Sequence, residues 1–166
     1  MEKVPSSERF LTDIISAMRD FRVISLCYQG FRHPEPFCFN VRPYCVKYFK
    51  QRWYLLGDSD LGLRIYSLDR FVDMEELEEH FEIPKGFDAE EYFGNYFGVI
   101  IGEEPEDVKI RVVPDQVKYF RTLPLHGSQR ETAQEDGSSV FSYHIAPTFD
   151  FVQEILSHGT DVEVLE

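Results

Sequence analysis

The chain has 166 residues, of which 43% are apolar and 15% aromatic, with fifteen Phe and nine Tyr. That content excludes disorder, and the length allows a real core in one domain or two small ones. A net charge of −13 argues against a generic nucleic-acid coat, which is basic. No apolar run approaches the roughly 20 residues of a membrane span, and no leader-like segment opens the chain, so a soluble cytoplasmic protein is expected.

Taken in chain order, Ser6 is a plausible helix N-cap with Glu8 in the first turn. Phe10, Leu11, Ile14, Ile15 and Met18 then recur at helical spacing, so residues 7–20 read as an amphipathic helix. The period switches at Arg22, where Ile24, Leu26 and Tyr28 alternate with Val23, Ser25 and Cys27. Gln29-Gly30 and His33-Pro34 mark a loop, and Phe37, Phe39 and Val41 alternate again. Pro43 limits that strand to an edge, a bend or an end. Tyr44 to Phe49, a turn near Lys50-Gln51, Trp53 to Leu56 and Leu63 to Leu68 complete about five short strands. Strands this short and close predict a small closed barrel or strongly bent sheet flanked by the helix.

Acid is concentrated in the middle of the chain. Residues 1–74 carry 11 Lys/Arg against 9 Asp/Glu, residues 75–107 carry 1 against 12, and residues 108–166 carry 5 against 9. The middle stretch reads as a structured connector: Asp88 to Glu91 form a capping box opening a helix with Tyr92, Phe93, Tyr96 and Phe97, ended by Gly98. Beyond it come a strand at Val108 to Val112 and a helix from Pro114. A hairpin follows around Asp136-Gly137, then a helix after Pro147-Thr148 and a last strand at Val162 to Val164. The order β-α-β-β-α-β is the ferredoxin-like arrangement. The expected divisions are a leading helix (1–22), a barrel (23–74), a connector (75–106) and a C-terminal domain (107–166), an α+β protein throughout.

The chemistry-bearing pattern is Arg52-Trp53-Tyr54-Leu55-Leu56-Gly57 followed by Arg64-Ile65-Tyr66-Ser67-Leu68-Asp69-Arg70-Phe71. Alternation puts Arg52, Tyr54 and Leu56 on one face of their strand. Arg64, Tyr66, Leu68 and, if the strand runs so far, Arg70 share a face of the next. Guanidinium groups beside aromatic rings suit phosphate and base contacts, although a solvated strand is also decorated this way. Trp53, on the other face, reads as core. Three cysteines (Cys27, Cys38, Cys45) are an odd number without C-x-x-C spacing, which argues against a disulfide framework; they read as plain, half-buried strand residues. Five scattered histidines lack ligand spacing, so neither a metal nor a cofactor is expected. No G-x-S-x-G, H-E-x-x-H or P-loop is present, and an enzyme is not expected.

With those elements in hand, residues 24–71 resemble a WYL domain. Arg42-Pro43-Tyr44, the Trp53-Tyr54-Leu55 strand and the Arg64 to Phe71 element stand in the family's order. The last 60 residues, with Leu125-His126-Gly127-Ser128-Gln129 after a short helix, are similar to the extension that often follows such domains in bacterial regulators. The resemblance implies an Sm-like barrel and a ferredoxin-like extension within a transcription regulator. It implies sensing of an anionic ligand, a nucleotide or short single-stranded nucleic acid, with the C-terminal part mediating a homodimer. It places Arg64, Arg70, Tyr54, Tyr66, Arg42, Tyr44 and Tyr28 near the ligand, with His126, Ser128 and Gln129 reaching the ligand or a dimer partner. Ser67 stands where some members carry another arginine. Too few residues precede the first helix for the family's helix-turn-helix, so promoter contact is expected from outside this chain. The alternatives are a stand-alone single-strand-binding Sm-like protein and a purely structural dimerisation module.

Overall fold

The computed structural model describes residues 7–166, and the expected cap at Ser6 lies outside them. The chain divides into two units, Met1–Phe87 and Asp88–Glu166, an α+β fold with one antiparallel sheet in each.

In the first unit α1 (Ser7–Arg19) buries Phe10, Ile14 and Ala17, one helical stripe, against the sheet and leaves Ile15 in solvent. The strands are β1 (Arg22–Tyr28), β2 (Phe37–Phe49), β3 (Arg52–Ser59), β4 (Gly62–Ser67) and β5 (Phe71–His80), in the order β4-β3-β2-β1-β5. Among the described residues β4 and β5 share no ladder. Of the expected small barrel or strongly bent sheet, a five-stranded sheet ending in β4 and β5 is what the ladders show, and closure into a barrel is not shown.

The two strands expected on either side of Pro43 are one, β2. Its first part pairs with β1 as far as Val41, and from Arg42 onward it pairs with β3, with a register shift between Pro43 and Cys45. Proline lacks an N–H, so the point where β2 changes partner is where it costs least. Lys50 and Gln51 both take positive φ and close a two-residue hairpin into β3. Gly57, opposite Pro43, has no room for a side chain: a Cβ there would collide with Val41 Cγ1 and lie 3.2 Å from the Arg42 carbonyl.

Two further expectations are corrected. The acidic run from Glu75, read as connector, continues as β5 alongside β1 to His80. Its inward residues, Phe71, Met74 and Leu77, are spaced by three, not two. Register shifts interrupt the ladder and hide the strand from an alternation reading. Cys27 and Cys38, read as plain strand residues, face each other across β1 and β2 and form a disulfide. Their Cα atoms are 4.0 Å apart, closer than the roughly 4.4–6.8 Å usual for bridged cysteines. The pairing follows from register, which composition and spacing do not reveal.

In the second unit α2 (Ala89–Phe93) is capped by the Asp88 carboxylate, which accepts from the Glu91 N–H at 3.0 Å. The helix stops at Gly94, four residues before the expected Gly98. Then follow β6 (Glu106–Val112), α3 (Pro114–Thr122), β7 (Arg130–Ala133), β8 (Ser139–Ile145), α4 (Phe149–Ser157) and β9 (Val162–Val164). Their antiparallel sheet has the order β7-β8-β6-β9. Val108, Ile110, Val112, Phe141, Tyr143 and Ile145 point to one face and bury against Val117, Phe120, Phe151 and Ile155 of the helices.

Gly57→Ala should lower the urea midpoint, the overpacking costing about 1–3 kcal/mol. In the second unit the Arg121 guanidinium and the Ser139 hydroxyl both donate to Glu131 and hold its carboxyl below the usual range. A depressed folded value gives stability that is complete above the unfolded carboxylate value and lost as pH falls through the folded one. Urea midpoints measured from neutral pH into acid should therefore fall less steeply in Glu131→Gln than in the parent chain.

Candidate functional site

The β3–β4 register decides which expected residues meet. Leu55 lies opposite Tyr66 and Gly57 opposite Arg64, whereas Tyr54 lies opposite Ser67. Directly opposed residues share a face, and neighbours alternate. Tyr66 and Arg64 are therefore on the core-side face with Leu55, and Tyr54 is on the other. The strand ends at Ser67, and Leu68–Arg70 form a 3-10 turn, so Arg70 leaves the face that Arg64 occupies.

Burial separates the tyrosines further. Tyr66 is 4% exposed, its hydroxyl 3.3 Å from Ser59 Oγ, and burial raises its pKa. Tyr28 is also buried, and its hydroxyl accepts the Ser67 N–H at 3.3 Å. Tyr44 packs between the rings of Phe81 and Phe87, and burial raises its pKa too. Arg42 is held by Asp58 at 3.2 Å, and Arg52 by Asp69 at 2.9 Å. Among the described residues neither Arg64 nor Arg70 has an ion-pair partner, although the Arg64 Nε donates to the Leu61 carbonyl at 3.0 Å.

The two arginines line separate hollows that share the β1–β2 loop. Arg64 walls an open groove of about 620 Å³ with His33, Glu35, Phe37 and Leu61. Arg70 lines a smaller hollow of about 250 Å³ with Gln29, Phe31 and Asp69, and its guanidinium lies 3.3 Å from the centroid of the Phe31 ring. Phe31 is 84% exposed. From the Arg64 groove a run of ring contacts leads inward: His33 to Phe37, Phe37 to Phe39, Phe39 to Tyr66, Tyr66 to Tyr28, Tyr28 to Phe71 and Phe71 to Phe10 of α1. Each step spans 5.0–6.0 Å between centroids. Tyr66 and Tyr28 thus stand behind the groove as its support, and Phe37 and His33 are the rings at its surface.

Phe31, His33 and Phe37 were not among the residues picked from sequence. Their signal was modest: Phe31 and His33 lie in a loop punctuated by Gly30, Pro34 and Pro36, and Phe37 opens the strand that follows.

In the second unit the expected His126 and Gln129 hold loops together. His126 Nε2 donates to the Gly94 carbonyl at 2.8 Å, which leaves Nδ1 to accept the Ser128 N–H. Gln129 Oε1 accepts from the Leu125 N–H and the Tyr143 hydroxyl, while its Nε2 donates to the Phe120 carbonyl. Both functional groups of the glutamine amide are therefore engaged by the fold. Among the described residues no group of three or more His, Cys, Asp or Glu is placed to hold a metal ion, and no helix is long and apolar enough to cross a membrane.

Family models match both units: the WYL domain over residues 9–76 and the WCX domain over residues 104–166. The chain joins a WYL domain to a WCX domain. The WYL match is wider than the resemblance over residues 24–71, taking in α1 and most of β5. A search of curated proteins gives no match. Among solved structures the chain is similar to proteasome accessory factor B/C (PafBC) of Arthrobacter aurescens, at 19% identity and a TM-score of 0.45, covering 100% of this chain and 25% of that one. It is also similar to a CRISPR Cas-related protein, at 17% identity and a TM-score of 0.52, covering 93% of this chain and 45% of that one. The chain thus spans less than half of either, and the second likeness concerns the fold alone.

Gln129→Ala strands the buried Tyr143 hydroxyl and two backbone groups, so it should cost about 1–3 kcal/mol in urea unfolding. It should leave anion binding by the WYL domain unchanged.

Proposed function

We propose that this chain is the sensing part of a WYL-type transcription regulator and that its WYL domain binds an anionic ligand, a nucleotide or short single strand, in the groove walled by Arg64. The observation that carries the reading is an arginine with no ion-pair partner among the described residues, beside two accessible rings, His33 and Phe37, in a groove of about 620 Å³ that Glu35 also lines. Arg64 supplies a planar donor fork for phosphate oxygens, and the rings supply stacking faces. Arg70 with Phe31 offers the same chemistry in the neighbouring hollow. Tyr54, Tyr44 and Arg42 have no part in this groove, and Tyr28 and Tyr66 act only by supporting it.

Charge favours a pocket over a surface that tracks a long strand. The chain as a whole carries −13, which repels polyanions at long range, while the Arg64 guanidinium, anchored only to the Leu61 carbonyl among the described residues, acts within a Debye length of about 10 Å. We read the first unit as Sm-like and the second as ferredoxin-like, with the WCX unit serving a homodimer. Contact with promoter DNA falls to a helix-turn-helix supplied from outside these residues. Ligand binding alters such a regulator only if the ligand prefers one arrangement of it over another.

Fluorescence anisotropy with a labelled thymidine pentanucleotide tests the groove. Arg64→Ala should weaken binding by about tenfold or more, the loss of one charge-assisted hydrogen-bonded contact. Arg42→Ala, whose guanidinium is engaged by Asp58, should change it by less than about threefold. Affinity that keeps rising with oligomer length, with a salt slope of about 0.7 per phosphate contact, would favour a strand-tracking binder instead.

A further inference from the structure

We propose that Cys27 and Cys38 are a reversible thiol-oxidation site, and that their disulfide locks the loop lining both hollows. The consequence for ligand affinity rests on the anion-binding reading above; the locking of the loop does not.

Cys27 is the penultimate residue of β1 and Cys38 the second of β2, opposed in the ladder and bonded to each other. The bond closes the base of the loop that carries Phe31, His33, Pro34, Glu35 and Pro36. Those residues, with Gln29, Gly30 and Phe37, form the loop's share of the Arg64 groove and the Arg70 hollow. Besides the Arg70 guanidinium on Phe31 and the His33–Phe37 ring contact, few interactions among the described residues fix the loop. Residues 31–36 are all exposed. Among the described residues its hydrogen bonds are the Gln29 N–H to the Arg70 carbonyl, the Gln29 side chain to the His33 carbonyl, and a 3.4 Å bond from the His33 N–H to Gly30. A short, solvated loop with two internal hydrogen bonds is at the low-stability end of a fold, and a covalent closure at its base has most effect there.

The site is accessible to a reagent. Cys38 is exposed and Cys27 partly so. Cys45, the third cysteine, lies in the β2–β3 ladder opposite Leu56, away from this pair, and burial pushes its thiol up, so it does not compete as a resolving thiol. A low-molecular-weight disulfide is a sufficient oxidant. The Cys38 thiolate attacks one of its sulfurs and displaces one thiolate; the Cys27 thiolate then attacks the Cys38 sulfur and displaces the second. Two electrons pass to the reagent, which takes up the two protons given up by the cysteines and leaves as two thiols. A dithiol reductant reverses both exchanges.

Hydrogen exchange by mass spectrometry on the full chain, after oxidised glutathione or after dithiothreitol, tests the lock. Maleimide labelling should count one free thiol in the first state and three in the second. Reduction should speed exchange in the peptide spanning residues 29–36 by about tenfold and leave β3 and β4 unchanged. The Cys27→Ser/Cys38→Ser double variant should match the reduced chain under both conditions. Three thiols persisting under oxidant, or equal loop exchange in both states, would overturn the proposal. Calorimetry with inorganic tripolyphosphate separates the two claims. Weaker binding on reduction supports both. A redox-sensitive loop with no tripolyphosphate binding in either state rejects the anion reading and leaves the lock standing. Equal affinity in both states rejects the coupling between them.

Discussion

The opposition of Leu55 to Tyr66 across β3 and β4 is the constraint on which the first unit depends. It turns Trp53, Leu55 and Tyr66 toward α1 and the core, and it carries Arg64 to the rim of the same face. A slip of one residue would exchange every inward side chain for an outward one. The packing that resists such a slip is visible at Gly57, where β3 approaches Val41 too closely for any Cβ, and at Pro43, where β2 changes partner. The same register that builds the core thus removes Tyr54 from Arg64's side of the sheet.

This consequence separates a shared composition from a shared site. Arginines and tyrosines recur along the sequence as though they formed one binding face, yet they do three different jobs. Arg42 and Arg52 are neutralised by Asp58 and Asp69. Tyr28, Tyr44 and Tyr66 are packing residues whose rings meet other rings. Arg64 and Arg70 alone among the picked arginines lack a carboxylate partner among the described residues, and each stands beside an aromatic side chain of the β1–β2 loop. The anion-binding reading is narrower than the sequence pattern suggested and rests on fewer residues.

Much of the architecture was legible because local signals agreed with the fold. Alternation marked β1, β4, β6 and β8, helical spacing marked α1 and α4, and Asp88 marked the start of α2. What escaped the sequence was non-local. The Cys27–Cys38 bond is a consequence of how β1 and β2 align, and nothing near either cysteine announces it. β5 was hidden because its inward residues follow a bulged ladder and its outward ones are nearly all acidic. Gln129 carried the chemistry of a contact residue, but its amide is engaged at both ends by Phe120, Leu125 and Tyr143. A strand's outward chemistry can be read from a sequence, whereas the identity of its neighbour cannot.

The proposed function places an anion at one location, the β1–β2 loop and the Arg64 rim. Titrating isotope-labelled protein with a thymidine pentanucleotide, and following the backbone amide resonances, reads that location residue by residue. The account predicts shifts confined to residues 29–37 and 61–64, with a smaller response near Arg70. Shifts centred instead on Tyr54 and Lys47, or on the polar hollow of the second unit around Lys109 and Arg130, would contradict it.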